Sequence, residues 1–205
     1  MNSNTVYSEA SVMPHAMART ELQNRALRAY FWVFAIFAGG CQAWVGRHTV
    51  AEDGLSYIEI GEAYFRSDWK NAINGYWSPL YSWILGLTLR IAHPSRVFES
   101  SVVHLVNFVI FICALAAFDF FLRQAIRYKN ESALRLGNHK LVTFSDRGFV
   151  VVGYGLFLCA SLNWITVSIE TPDMLLSVFV YLAGAILLRI RIAGPDRMPF
   201  GALGK

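Results

Sequence analysis

Residues 80–92 read LYSWILGLTLRIA, and whether this run crosses a membrane decides the side on which every later loop falls. It is apolar, but it carries Arg90 and is enclosed by Pro79 and Pro94. A membrane-spanning helix needs about 20 mostly apolar residues, whereas runs of about 10–14 more often lie in an interface or re-enter. Length alone therefore argues against a span, and the distribution of charge supplies an independent test.

Four other segments approach spanning length: Tyr30–Val45, Val102–Leu122, Phe149–Val167 and Met174–Leu188. The last is short but is extended by Thr171–Pro172 and by Arg189, whose long side chain can reach the interface. Pro172 suits a first helical turn, where its missing N–H costs nothing. If residues 80–92 also spanned, the segment between the second and third long runs would face outward. That segment holds Arg123, Arg127, Lys129, Arg135, Lys140 and Arg147 against two acids, and it would break the excess of Lys and Arg expected on cytoplasmic loops. With residues 80–92 kept at the outer interface, 13 of the 18 Lys and Arg fall inside and five outside. The second layout is the consistent one.

Composition agrees. The chain has 205 residues, 55% hydrophobic and 16% charged, against about 25% charged in soluble domains. The expectation is an all-α, polytopic bundle of about four transmembrane helices in a cell (inner) membrane, with interfacial helices in the first outer loop. A cytoplasmic tail covers residues 1–28 and the membrane domain 29–205. Within that domain lie an outer loop at 46–101, a cytoplasmic loop at 123–147 and an outer turn at 168–173. The net charge of +4 reflects basic residues at span ends, so nucleic acid is not an expected partner and membrane lipid is. Cys41, Cys113 and Cys159 sit in apolar runs without metal-ligand spacing and are expected to be small buried residues.

This layout places two acidic stretches on one face. The first is TVAEDGLSYIEIGEAYF, residues 49–65, with Glu52 and Asp53; the second is SIETPD, residues 168–173, with Glu170 and Asp173. Residues 55–65 read as a short amphipathic helix, with Glu59, Glu62 and Arg66 on one side and Tyr57, Gly61 and Tyr64 along another. Asp53 has two readings, a side-chain cap for that helix or a surface acid with chemistry to do. Trp69, Tyr76, Trp77, Tyr81 and Trp83 form an aromatic belt. Such a belt anchors at headgroup depth or, with Tyr57, walls a sugar or lipid tail. Arg47, Arg66 and Lys70, with His48, are cations near the acids that can hold a phosphate-linked substrate. His104, Asn107 and Asp119 are polar exceptions inside the spans, and Asp119 can pair with Arg123 one turn on. No P-loop, dinucleotide fingerprint or zinc-spaced cluster is present.

An acid pair after the first span, followed by Asp68-Trp69 and by WSPLYSWILG (77–86), resembles the start of the GT-C glycosyltransferases. The protein mannosyltransferase and aminoarabinose transferase branch is the most similar. SIETPDMLLSVFVYLAGAILLR (168–189) resembles their second acidic turn and next span, and FGALGK (200–205) a lead-in to another. The resemblance implies transfer of a sugar from a polyprenyl-phosphate donor to a glycan, lipid or protein acceptor on the extracytoplasmic side. It implies a catalytic acid at Asp53 or Glu52, the branch's usual Asp-Glu order being reversed here, and a second acidic site at Asp173 with Glu170. A divalent metal is compatible with it; no metal ligand set is assigned. Members are longer and have more spans, so the resemblance implies an N-terminal portion whose activity alone is not expected. Two alternatives stand beside it: an inactive remnant or scaffold of the same fold, and an unrelated polytopic transporter subunit.

Overall fold

The computed structural model describes residues 4–135 and 144–193, with side chains from Glu21 onward. The expectations for Arg19, Arg135, Lys140 and Arg197 as side chains, and for residues 200–205, lie outside the described residues. Those that are described form an all-helical bundle. Its elements are α1 (Asn4–Gly46), α2 (Glu52–Phe65), α3 (Trp69–Ala72), α4 (Pro79–Ala92), α5 (Arg96–Arg135), α6 (Asp146–Cys159, continued by a π-helical turn Ala160–Trp164) and α7 (Asp173–Ala193).

Among the described residues, four helices are long and apolar enough to cross a membrane: Glu21–Gly46, Arg96–Leu134, Asp146–Trp164 and Asp173–Ala193. Each contains or overlaps one of the four expected runs. The bounds differ because helices continue past their apolar segments. α1 begins well before Tyr30, and α5 runs through Arg123, Arg127 and Lys129, where a loop was expected. At about 1.5 Å per residue, α5 is roughly 60 Å long, twice the hydrocarbon thickness of a bilayer. α6 and its π turn stop at Trp164 rather than Val167. Pro172 is not inside the first turn of α7; its carbonyl accepts from Leu176 N at 2.8 Å, so it stands just before the helix.

α4 has 14 residues, about 21 Å, and is not among the spanning candidates. Pro79 starts it, and His93 ends it in the left-handed region (φ 43°), its N–H bonded to Leu89 O at 3.0 Å. α4 packs on α2 where two glycines meet. A Cβ on Gly61 would lie 2.5 Å from the Ser82 carbonyl oxygen, and one on Gly86 would lie 2.6 Å from Gly61 O. The two backbones are therefore in direct contact.

α5 is the central post, with α1, α6 and α7 against it. Its Phe111, Leu115 and Phe118 are buried with Tyr154 and Phe157 of α6. Phe118 stacks on Phe157 at 4.8 Å and meets Tyr181 of α7 edge-on at 5.3 Å. The outward faces remain apolar: Phe37, Leu105, Leu156 and Val180 are among the exposed side chains. That is the surface a helix presents to hydrocarbon, where there is no water for a polar group to meet. Cys41, Cys113 and Cys159 are free and lie on these exposed faces, not in the core as expected. An apolar run does not tell which of its residues face lipid.

Candidate active site

Polar side chains within the spans fix the loops at one end of the bundle. Gln42 of α1 donates to Leu162 O at 2.6 Å and accepts from Val167 N at 3.3 Å. Asn107 of α5 accepts the Tyr81 hydroxyl at 2.6 Å and donates to Val167 O and Ile169 O at 3.4 and 3.3 Å. His104 Nε2 lies 2.9 Å from Thr49 O, a carbonyl that also accepts from Ser100 Oγ at 2.8 Å. These bonds hold α4, the segment 47–51 and the turn 165–172 on the same end of α5. A polar residue in an apolar helix was the signal for His104 and Asn107. Gln42 carried the same signal and was passed over.

The four expected acids separate into two kinds. Glu170 is fully buried; its Oε2 accepts from Ala51 N at 3.0 Å, and its Oε1 lies 3.1 Å from His104 Nε2. Gly54 presses against it, since a Cβ there would sit 2.7 Å from Glu170 Cβ. Glu170 is a tether between the two loops rather than an open acid. Glu52, Asp53 and Asp173 are exposed. Glu52 and Asp53 occupy the first turn of α2, and Asp173 that of α7, where the positive end of the helix dipole favours a carboxylate.

The capping reading of Asp53 is overturned. α2 begins at Glu52, three residues earlier than expected, with Ala51 at the N-cap and no side-chain cap bond. The tether explains why: Glu170 takes the Ala51 N–H, and the Ala51 carbonyl accepts from Leu55 N at 3.1 Å. The helix can start without a capping side chain.

The charges of Asp53 and Asp173 are both felt at the Tyr57 phenol. Tyr57 lies one turn after Asp53, and its ring is buried. Burial raises its pKa most, hydrogen bonding to the Ser78 backbone opposes the rise, and the negative charges of Asp173 and then Asp53 add to it. Two exposed carboxylates from distant parts of the chain thus act on one neutral hydroxyl. Burial also raises the pKa of Tyr81, with the Glu170 charge adding to it.

Around that hydroxyl stands an aromatic wall. Tyr57 meets Trp77 edge-on at 4.9 Å and Tyr81 at 5.0 Å, and Tyr76 meets Trp77 at 4.8 Å. Tyr81 was expected in the wall but is fully buried and only backs it, its hydroxyl held by Asn107; Trp69 does not join it. With Tyr64 (6.3 Å) it belongs to a second cluster that includes Trp83, 5.5 Å from Tyr64.

The three expected phosphate-binding cations are not gathered at the acids. Arg47 turns back to donate to Trp44 O at 2.5 Å, its guanidinium 3.9 Å from the centre of the Trp44 ring. Arg66 pairs with Glu62 at 2.6 Å, as the spacing of four suggests. It lines a separate groove of about 720 Å³ with Arg90, His93 and Arg96, and neither Asp53, Tyr57 nor Asp173 lines that groove. Lys70 is exposed in the last turn of α3. Among the described residues, no group of three or more His, Cys, Asp or Glu is placed to hold a metal ion.

The chain matches no protein-family model, no curated protein and no solved structure.

Proposed function

We propose that this chain acts as, or within, a GT-C-like membrane glycosyltransferase that uses a polyprenyl-phosphate sugar donor on the extracytoplasmic face. The observation that carries the reading is the Ala51–Glu170 bond, which joins the two acidic stretches and so sets the helix starts that bear Asp53 and Asp173 at one end of the bundle, beside an aromatic wall. In the reaction, an acceptor hydroxyl oxygen attacks the anomeric carbon as the bond from that carbon to the phosphate oxygen breaks. The polyprenyl phosphate leaves with the electron pair, and Asp53 takes the acceptor's proton. That role requires an exposed carboxylate within hydrogen-bond reach of the acceptor, which a side chain spent on capping would not offer. Asp173 and the neutral Tyr57 orient the sugar, and the half-buried Trp77 ring supports its apolar face, while the fully buried Tyr81 backs Tyr57 from inside.

One observation favours a second reading, an inactive scaffold of the same fold. Arg47 and Arg66 are satisfied within the chain, while a departing phosphate needs cations. A transfer assay separates the two. Membranes carrying the chain are given radiolabelled polyprenyl-phosphate sugars, with Asp53→Asn as the paired control. Transfer that the substitution removes supports the enzyme. Donor binding without transfer in either sample supports the scaffold.

A further inference from the structure

At the opposite end of the bundle α1, α5 and α6 enclose a groove of about 610 Å³. Its centre is Asp119 of α5, nearly buried. Asp119 Oδ1 accepts from Arg28 Nε at 2.9 Å, Arg28 NH2 at 2.5 Å and the Tyr154 hydroxyl at 2.7 Å. Its other oxygen lies 2.9 Å from Arg123. One carboxylate therefore faces two guanidiniums, and the cluster keeps a positive charge.

The other charges in the groove do not cancel it. Asp146 is engaged by Lys129 and by Asn130. Glu21 and Arg25 approach only to 3.9 Å with both side chains more than three-quarters exposed, a pairing worth little. Arg127 lines the groove, is exposed, and makes no ion pair among the described residues. A further feature is unexplained by the protein itself: the Asn24 amide oxygen is buried here without a hydrogen-bond partner. Amide oxygen and nitrogen can exchange places by rotation, so the site offers a hydroxyl or ammonium group either a donor or an acceptor.

The floor of the groove is apolar. Trp32, Ile126 and Val150 line it, and Trp32 and Val150 belong to the apolar segments of α1 and α6. A soluble anion would gain nothing from that floor, whereas an amphiphile with an anionic head would use both halves. We infer that this groove binds the headgroup of an anionic phospholipid. The phosphodiester sits among Arg25, Arg28, Arg123 and Arg127, the hydroxyls of its alcohol reach Asn24, and the first methylenes lie on Trp32. The inference is independent of the proposed enzymatic function, whose residues lie at the other end.

The test is native mass spectrometry of the full chain released from vesicles of phosphatidylglycerol and phosphatidylcholine in equal amounts. Phosphatidylglycerol should be retained preferentially. Each charge removed by Arg127→Gln and Arg25→Gln should weaken retention about fivefold, the scale of one basic residue at an anionic membrane surface. Both side chains are exposed and neither touches Asp119, so helicity by circular dichroism should be unchanged. Asn24→Leu should weaken retention of phosphatidylglycerol as well, and Arg90→Gln, at the opposite end, should not. Equal retention of the two lipids, full retention by the double arginine variant, or displacement of the lipid by glycerol phosphate in solution would each overturn the inference.

Discussion

Glu170 and Ala51 are 119 positions apart in sequence, yet the carboxylate of one accepts from the backbone N–H of the other at 3.0 Å. This bond fixes where α2 begins, and so where Glu52 and Asp53 stand relative to the turn before α7. Glu170 is fully buried and Ala51 half-buried, so losing this bond costs towards the lower end of the roughly 1–3 kcal/mol of an unpartnered buried donor. Glu170→Ala should therefore lower stability by about that amount, read as thermal unfolding in detergent. Glu170→Gln keeps an acceptor for Ala51 and should cost less. Equal losses for Ala and Gln would show that the charge beside His104, rather than the bond to Ala51, is what matters.

Asp53→Asn separates chemistry from structure. Because Asp53 makes no cap bond, the change removes only its favourable position at the helix N-terminus, less than about 1 kcal/mol. Transfer should fall about a hundredfold, the usual scale for losing a general base, with donor binding retained. Glu52→Gln should do less harm. If transfer survives in Asp53→Asn and is lost in Glu52→Gln, the two acids exchange roles.

Orientation is open to labelling. In a background lacking the three native cysteines, single cysteines at Asp53, Trp69, Ser95 and Asp173 should react with an impermeant reagent from outside the cell. Asn130→Cys should react only after the membrane is opened. All five positions are exposed on the protein, so accessibility reports the side of the membrane and not burial. Labelling of Ser95→Cys from the inside would mean that α4 crosses the bilayer.

Tyr57 predicts a pH dependence with a definite sign. Its pKa in the folded chain is raised above the ordinary 10.0, so above about pH 10 the unfolded chain releases this proton more readily than the folded one. Stability should fall as pH rises from about 10 towards the folded pKa. Tyr57→Phe should lessen the loss, seen by comparing unfolding at pH 8 and pH 11, on either side of the ordinary tyrosine pKa of about 10. An unchanged alkaline loss in Tyr57→Phe would place its origin elsewhere, Tyr81 first.

The bundle was legible in the sequence because apolar length and the side preference of Lys and Arg are both one-dimensional signals. Apolar length was enough to find the four long apolar helices and to set residues 80–92 apart as a shorter one, while the sides assigned from Lys and Arg await the labelling above. What the sequence could not separate was Glu170 from Asp173. The two acids are three residues apart in one turn with similar surroundings, and only the position of Ala51 and His104 makes one a tether. The start of α2 was misjudged for a related reason. A capping side chain was sought within the local sequence, whereas the group that satisfies the helix end comes from across the fold. Nor did spacing reveal that Arg28, from α1, would share Asp119 with Arg123, since nothing local links positions 91 residues apart.

The contact between Gly61 and Gly86 is built from what is missing, and that gives it an unusual mutational character. Most packed positions accept a smaller neighbour at some cost and a similar one at little cost. Here no smaller residue exists, and alanine, the mildest replacement, would already place a methyl carbon against a backbone oxygen that has nowhere local to turn. α2 would have to lift from α4, and the first turn of α2 would move with it. Each position therefore admits glycine alone at this helix spacing, and because both clashes are with backbone, a substitution at one cannot make room for a methyl at the other.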